Sequence, residues 1–494
     1  MNYRHEIDGL RAFAVLTVIF FHAKFEIFKG GFLGVDIFFV ISGYLISSIL
    51  LLNIKNNNFS FIRFYYKRVK RLFPALFVVM IITSIPSYFL MLPDELENFG
   101  QSIISTLGFS NNLLLFITTD YWQLEADFKP LLHTWSLGVE EQFYLFFPTF
   151  IYLFTKKNNL KRTEKYLWIL LLSSFSSIFI FENAYGIETF YLMPTRLWEF
   201  AFGALVAVRR LQNTSNLNYP FLGILGLIII SVCVIMFDKT TPLPFLIMPV
   251  IGTSLIIMYT NPGEKIYKML TISPLKKIGL LSYGAYLIHV PLFTYFRLGS
   301  NSEPSKFVYI ILIILSFLLA DLMYKYIEEP FRNGKFSQKA LKSFLIISIT
   351  YLIIFSSVIV YSEGFSSKFY GKDSYGQKSV WTSYCNRIYE FKSFNKTSKG
   401  IKILVFGSSY ARDIANSLLE AGSDNQIQIC YINKYYDCDF VDISRIDAKT
   451  RILIDESEVV IFGGGGIDTE CINTAIEHLE NIGKKVLYTG YKNF

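Results

Sequence analysis

The sequence predicts an α-helical multispan membrane protein of about 10–11 transmembrane helices, followed by a small parallel α/β domain. Three observations carry that prediction. Of its 494 residues 52% are hydrophobic, and the mean hydropathy of +0.39 is far from that of an ordinary soluble domain. Apolar runs of about 18 residues or more, the length that crosses roughly 30 Å of hydrocarbon, recur from the N-terminus to about Ser362 and then stop. Beyond that point short strand-like runs alternate with helix-like ones.

Twelve apolar candidates begin near residues 8, 32, 74, 102, 137, 167, 190, 220, 243, 280, 306 and 341. The first lacks a small-residue cleavage site and runs at once into the second, so it reads as a retained span. The weakest is the fourth, "QSIISTLGFSNNLLLFITTD", with Asn111 and Asn112 at its centre. If it lies in the interface or re-enters, eleven spans remain. The basic loops then agree with one orientation. With the N-terminus cytoplasmic, "FIRFYYKRVKRLFP", "KKNNLKR", "VRRLQN", "KIYKMLTISPLKK" and "FRNGKFSQKALK" all fall inside, while "LPDELEN", "ENAYGIE" and "FDKTTPLP" fall outside. The formal charge of +8 is thereby used in short loops, and no long basic tail points to nucleic acid. An odd number of spans delivers the last 130 or so residues to the outside.

In that region "IKILVFG", "QIQICYI", "EVVIFGGGG" and "KKVLYTG" read as buried strands, with "YARDIANSLLE" and "DTECINTAIEHLENIG" as helices between them, a pattern for a small parallel sheet. It holds Cys385, Cys430, Cys438 and Cys471, against Cys233 alone in the membrane part. An even set in an exported domain permits one or two disulfides in any of three pairings, or free thiols.

Ionisable residues inside apolar runs are costly and are functional candidates by default. Arg11 and His22, eleven positions apart on the first span, lie on one helical face about 16 Å apart in depth. Arg11 alone also suits a snorkelling interfacial anchor, and His22 alone a polar contact between helices. Their company favours a polar cavity opening outward: Asp36 on the second span, His133, Glu140 and Glu141 on the fifth, Arg196 and Glu199 on the seventh, His289 on the tenth. Separate buried pairs are the bland alternative. On the cytoplasmic side Arg63, Lys67, Arg68, Lys70 and Arg71 crowd the start of the third span. They serve topology and anionic lipid, or grip the phosphates of a cytoplasmic donor.

The blocks "IDGLRAFAVLTVIFFH", "GGFLGVDIFFVISGYLI", "RFYYKRVKRLFP", "LLHTWSLGVEEQFYLFFP", "PTRLWEFAFGAL", "LSYGAYLIHVPL" and "YIEEPFR" resemble, in order, those of the membrane acyltransferase-3 family, over roughly residues 3 to 335. The resemblance implies transfer of an acyl group, usually acetyl, from cytoplasmic acyl-CoA to an extracytoplasmic sugar, as in lipopolysaccharide O-antigen or peptidoglycan. It implies His22 as the catalytic residue, a general base or a transient acyl carrier. Arg11, Arg68 and Arg71 would then handle the donor, and Glu140, Glu141, Asp36, His133, Arg196 and His289 would orient His22 or bind the acceptor. No resident cofactor and no metal is expected; the partners are acyl-CoA, an envelope polysaccharide or glycolipid, and membrane lipid. The location implied is the inner membrane, with a periplasmic or extracellular C-terminal domain.

The organisation expected is a membrane acyltransferase domain over 1–335, a further span and linker over 336–363, and an exported domain over 364–494. The last resembles the SGNH-type domains found after such membrane parts. There "ILVFGSSYARD" aligns Ser409 with the nucleophile, with Ser408 and Tyr410 in place of the usual Asp and His. No Asp-x-x-His block occurs before "VLYTGYKNF", so the domain is expected to be truncated or degenerate; an ending just after a strand favours truncation. His478 reads as a surface residue. The rival classes are a secondary transporter, against which no repeated halves are visible, and a non-catalytic scaffold, which leaves His22 unexplained.

Overall fold

The computed structural model describes residues 3–118, 127–155, 159–212, 219–300, 303–366, 387–395, 400–407, 409–421, 426–433, 446–463 and 469–489. Two compact units divide at Phe365 and Ser366. The helix expected over 336–363 belongs to the first.

The first unit is a helical bundle. Its helices are α1 (His5–His22), α2 (Gly34–Lys55), α3 (Phe61–Leu90), α4 (Pro93–Leu107), α5 (Asn111–Thr118), α6 (Thr134–Phe154), α7 (Leu160–Tyr185), α8 (Leu197–Gln212), α9 (Pro220–Met236), α10 (Ile247–Tyr259), α11 (Lys265–Leu270), α12 (Ser273–Leu298), α13 (Lys306–Met323), α14 (Glu329–Arg332) and α15 (Gln338–Tyr361). Among the described residues six helical stretches are long and apolar enough to cross a membrane: Gly31–Lys55, Phe61–Leu90, Leu160–Ala184, Ser273–Leu298, Lys306–Arg332 and Gln338–Tyr361. Two shorter apolar helices, Pro220–Met236 and Leu243–Tyr259, accompany them. At about 1.5 Å per residue α3 runs to roughly 45 Å, longer than the roughly 30 Å of a hydrocarbon core. The fourth apolar candidate is broken. Phe109 takes a positive φ of 53° between α4 and α5, and Asn111 donates to Leu131 O (3.1 Å) and Thr134 Oγ1 (2.7 Å). Its asparagines thus bond to other protein groups, and neither piece matches the length of a span.

α1 is the hub. Leu10, Ala14, Val15, Val18 and Ile19 are buried, packed between α12 and α2. Glycines bring the backbones together: a Cβ on Gly279 of α12 would lie 2.0 Å from Asp8 O, and one on Gly9 of α1 would lie 2.0 Å from Leu270 O. The α2–α8 crossing uses the same device, with Gly43 against Phe200 O and Gly203 against Val40 O, each at 2.1 Å. In lipid, where apolar burial drives little association, such close approach is what dispersion and polar contacts need.

The second unit has a four-stranded parallel sheet of order β2-β1-β3-β4, built from β1 (Ile401–Gly407), β2 (Ile427–Ile432), β3 (Val459–Gly463) and β4 (Lys485–Thr489). The four strands coincide with the four runs read from the sequence. Alternation along β1 sends Leu404 and Phe406 to one face with Leu453, Ile454 and Ile472, and Ile403 and Val405 to the other with Ala411 and Ala415. Helix α16 (Ser409–Ala421) therefore covers one face, and α17 (Ala448–Glu456) with α18 (Thr469–Asn481) the other. The short α17 was not expected: "AKTRILIDE" is nine residues with little net hydrophobicity, and Asp447 caps it by accepting from Thr450 N (2.9 Å). Cys430 is a buried free thiol on β2. The disulfide expectation for Cys385 and Cys438, and for the side chain of Cys471, lies outside the described residues.

Candidate active site

The first unit holds two polar compartments, one toward each end of α1. A cavity of about 260 Å³ is walled by Arg11 of α1, Ser42 of α2, Arg68 and Arg71 of α3, Ser136, Glu140 and Tyr144 of α6, and Ser282, Tyr283 and Tyr286 of α12. Three guanidiniums converge there from two helices. Glu140 is the carboxylate of this wall, and its Oε1 accepts from the Ser42 and Tyr144 hydroxyls. The Arg68 guanidinium lies over the rings of Tyr144 (5.6 Å) and Phe64 (5.7 Å), and its Nε is buried without a hydrogen-bond partner. Such a group can bind an anion strongly at little cost in ordering. Glu141, the next residue, faces a separate small pocket with Phe73, Phe109 and Tyr283. The paired carboxylates thus serve different spaces.

The histidines form the second compartment, and none of them lines the cavity. His22, the last residue of α1, places Nδ1 3.0 Å from Nε2 of His289. His289 Nδ1 is 3.1 Å from Ala285 O. A carbonyl only accepts, so His289 carries its proton on Nδ1 and its Nε2 is an acceptor; His22 must then donate from Nδ1. That leaves the lone pair of His22 on Nε2. The His133 ring lies 5.8 Å from that of His289, and both its nitrogens are buried and unpartnered. Tyr286 stands between the compartments. Its ring is 5.4 Å from His133 and 5.6 Å from His289, while its hydroxyl donates to His133 O (3.1 Å) and pairs with the Ser136 hydroxyl at 2.6 Å.

The end of α1 is clamped from outside the cluster. Arg297 of α12 donates to His22 O (2.8 Å) and to Asp127 O (3.1 Å), and Lys24 pairs with Asp127 (3.0 Å) and Glu303 (3.3 Å). Burial pushes the Asp127 carboxyl up, but Arg297 and Lys24 outweigh it and hold it below the usual carboxylate range.

Asp36, Arg196 and Glu199 come together elsewhere, at the α2–α8 crossing. Arg196 reaches Asp36 (3.0 Å) and Glu199 (3.2 Å), and its guanidinium lies 4.6 Å from the centre of the Phe190 ring. All three are essentially inaccessible, and neither Asp36 nor Arg196 is part of the cavity wall. In the second unit Ser409 heads α16 directly after β1, with its side chain outside the described residues, and His478 is exposed on α18. Among the described residues no three His, Cys, Asp or Glu are grouped so as to hold a metal ion.

Sequence reasoning passed over Tyr144, Ser136, Tyr286 and Arg297. Tyr286 and Arg297 had a signal of a kind, lying on the same helix as His289 within three turns; the hydroxyls of α6 had none.

A family model described as an acyltransferase domain matches residues 4–325. Among relatives, peptidoglycan O-acetyltransferase OatA of Listeria monocytogenes is 34% identical over 354 residues, covering 68% of this chain and 57% of that protein. The putative peptidoglycan O-acetyltransferase YrhL of Bacillus subtilis is 31% identical over 364 residues, 70% of this chain and 57% of that protein. O-acetyltransferase OatA of Staphylococcus aureus is 30% identical over 392 residues, 74% and 64% respectively. The chain thus spans less than two thirds of the length of these relatives. No solved structure matches it.

Proposed function

Because the chain belongs to this acyltransferase family, we propose that it is a membrane O-acetyltransferase that passes an acetyl group from cytoplasmic acyl-CoA to a hydroxyl of an envelope glycan. Peptidoglycan is the first acceptor to test, since two relatives are named for it; lipopolysaccharide O-antigen is the second. In this reading the protein lies in the cytoplasmic (inner) membrane with its N-terminus inside and the second unit outside.

The observation that carries the reading is the His22–His289 contact. It holds the His22 ring and supports a reading in which Nε2 is the reacting nitrogen. As a base, Nε2 takes the proton of the sugar hydroxyl as its oxygen attacks the thioester carbon. The tetrahedral intermediate collapses, the C–S bond breaks, and the imidazolium returns the proton to the departing CoA thiolate. As an acyl carrier, the same lone pair attacks the thioester carbon and expels the CoA thiolate as the C–S bond breaks; the sugar hydroxyl then attacks the acetylimidazole, the C–N bond breaks, and the hydroxyl proton ends on the CoA thiolate. Arg11, Arg68 and Arg71 suit the donor phosphates, with the cavity taking the thioester arm, and Glu140 positions the Ser42 and Tyr144 hydroxyls beside it.

The test is His22→Ala, with acetyl content of envelope glycans read by mass spectrometry. Acetylation should vanish while the protein reaches the membrane at normal levels; acetylation that persists at those levels overturns the mechanism. Comparison of peptidoglycan with lipopolysaccharide fractions identifies the acceptor.

A further inference from the structure

The block "YIEEPFR" is given no part in this chemistry, yet its first glutamate sits beside the donor cavity. Helix α13 gives way to a π-helical turn over Tyr324–Glu328 before α14 begins with Glu329 and Pro330. A π-turn inserts an extra residue and re-aims the side chains after it, and such turns concentrate at functional sites. Here it ends on Glu328, which is 7% exposed, with Oε1 buried and without a hydrogen-bond partner.

The neighbouring helix is shaped around it. A Cβ on Gly284 of α12 would lie 3.1 Å from Glu328 Oε1 and 2.8 Å from Met323 Cε. Gly284 comes directly after Ser282 and Tyr283, both in the cavity wall. The positive groups that act electrostatically on the carboxylate are Arg11, Arg71 and Arg332, and two of these wall the cavity. Arg332 is otherwise engaged, donating to the Tyr324 hydroxyl at 2.8 Å. A buried carboxylate oxygen with no hydrogen bond, in the field of two arginines of the cavity wall, is an expensive arrangement.

We propose that Glu328 is a positioning residue of the donor site, the counter-charge that balances Arg11 and Arg71 when the cavity is empty and competes with the phosphates of a bound donor. Its effect is on release. Without it the arginines would hold the spent CoA too tightly; with it the anion is bound loosely enough to leave. The inference rests on the donor reading above, and the test separates the two.

Purified protein in detergent is titrated with CoA, and turnover is followed with acetyl-CoA and an acceptor glycan. Glu328→Gln, which keeps shape and removes charge, should lower the Kd for CoA and the KM for acetyl-CoA about tenfold, the order expected for one charge across a half-buried site, and should lower kcat as release slows. Glu328→Asp, which keeps the charge, should stay within about twofold of the parent Kd. Gly284→Ala, which presses on Oε1 without changing any charge, should shift Kd in the same direction as Glu328→Gln but less. Unchanged Kd and KM in a folded Glu328→Gln protein overturn the role of Glu328 alone. A parent protein that binds no CoA overturns the donor reading and this inference with it.

Discussion

Gly279→Ala tests whether the α1–α12 crossing sets the histidine pair. An added Cβ would lie 2.0 Å from Asp8 O, where a carbon–oxygen contact needs about 3.3 Å, so the helices must part by roughly 1.3 Å at that point. Sliding is blocked by the second close contact, Gly9 against Leu270 O at 2.0 Å. His289 lies ten residues further along α12, roughly 15 Å away, on the same rigid helix. Its contact with His22 is 3.0 Å and is lost as a hydrogen bond beyond about 3.5 Å, well short of the forced displacement. Overpacking of this kind costs about 1–3 kcal/mol, enough to lower the melting temperature but not to unfold the bundle. A misplacement of about 1 Å costs on the order of 100-fold in rate. The expected outcome is a folded protein at near-normal membrane levels whose glycan acetylation, quantified by mass spectrometry, falls roughly 10- to 100-fold. Gly108→Ala is the control, since its nearest contact would be an ordinary 3.5 Å, and it should acetylate normally. Full activity from Gly279→Ala at matched protein level would refute the idea that this crossing holds His22 and His289 in register.

Two further outcomes are expected from the buried charge network and the sheet. Arg196→Met leaves Asp36 and Glu199, both fully buried, without their shared cation, which should cost about 3–5 kcal/mol and show as a sharply lower melting temperature in detergent; adding Glu199→Gln should recover part of it. A parent-like melting temperature with loss of glycan binding alone would mean that Arg196 serves the acceptor directly. On β2, burial pushes the Cys430 thiol up to about 12, so it stays protonated across the physiological range and should resist iodoacetamide until denaturant is added. Because the folded value is raised, the sign is fixed: this group favours folding below the unfolded value of about 8.5 and loses that contribution as pH rises from there toward 12. Rapid labelling of the native protein at about pH 8, near the unfolded value, would contradict the buried placement.

Period and composition decide which elements are legible in the sequence. The four strands of the second unit announce themselves as short apolar runs bounded by turn residues, because a sheet covered on both faces needs them; the polar nine-residue α17 gives no such signal. In the bundle, the break at Asn111 and Asn112 was legible because two amides at the centre of an apolar run need protein partners. The pairing of His22 with His289 was not. Both stood out as ionisable residues in spans, but only packing brings two helices 267 positions apart in sequence to 3.0 Å. Asp36 and Arg196 show the opposite error of emphasis: charge in a span marks them equally, and only their mutual distance of 3.0 Å separates a helix-joining network from a cavity wall.

Packing also constrains how the proposed transfer proceeds. Arg11 and His22 share a face of α1, and from the sequence alone that face could line one continuous cavity. The structure divides it. The arginines open into the cavity, the histidines do not, and the Tyr286 ring with its hydroxyl bonded to Ser136 and His133 O stands between them. In the proposed reading, a thioester whose CoA phosphates sat at Arg11, Arg68 and Arg71 would meet His22 Nε2 only after this side chain yields. Tyr286 and His289 are three residues apart on α12 and so lie on one face, so the helix that contacts His22 also carries Tyr286. In the proposed reading, a donor that displaced Tyr286 would act on the same helix that carries His289, the partner of His22.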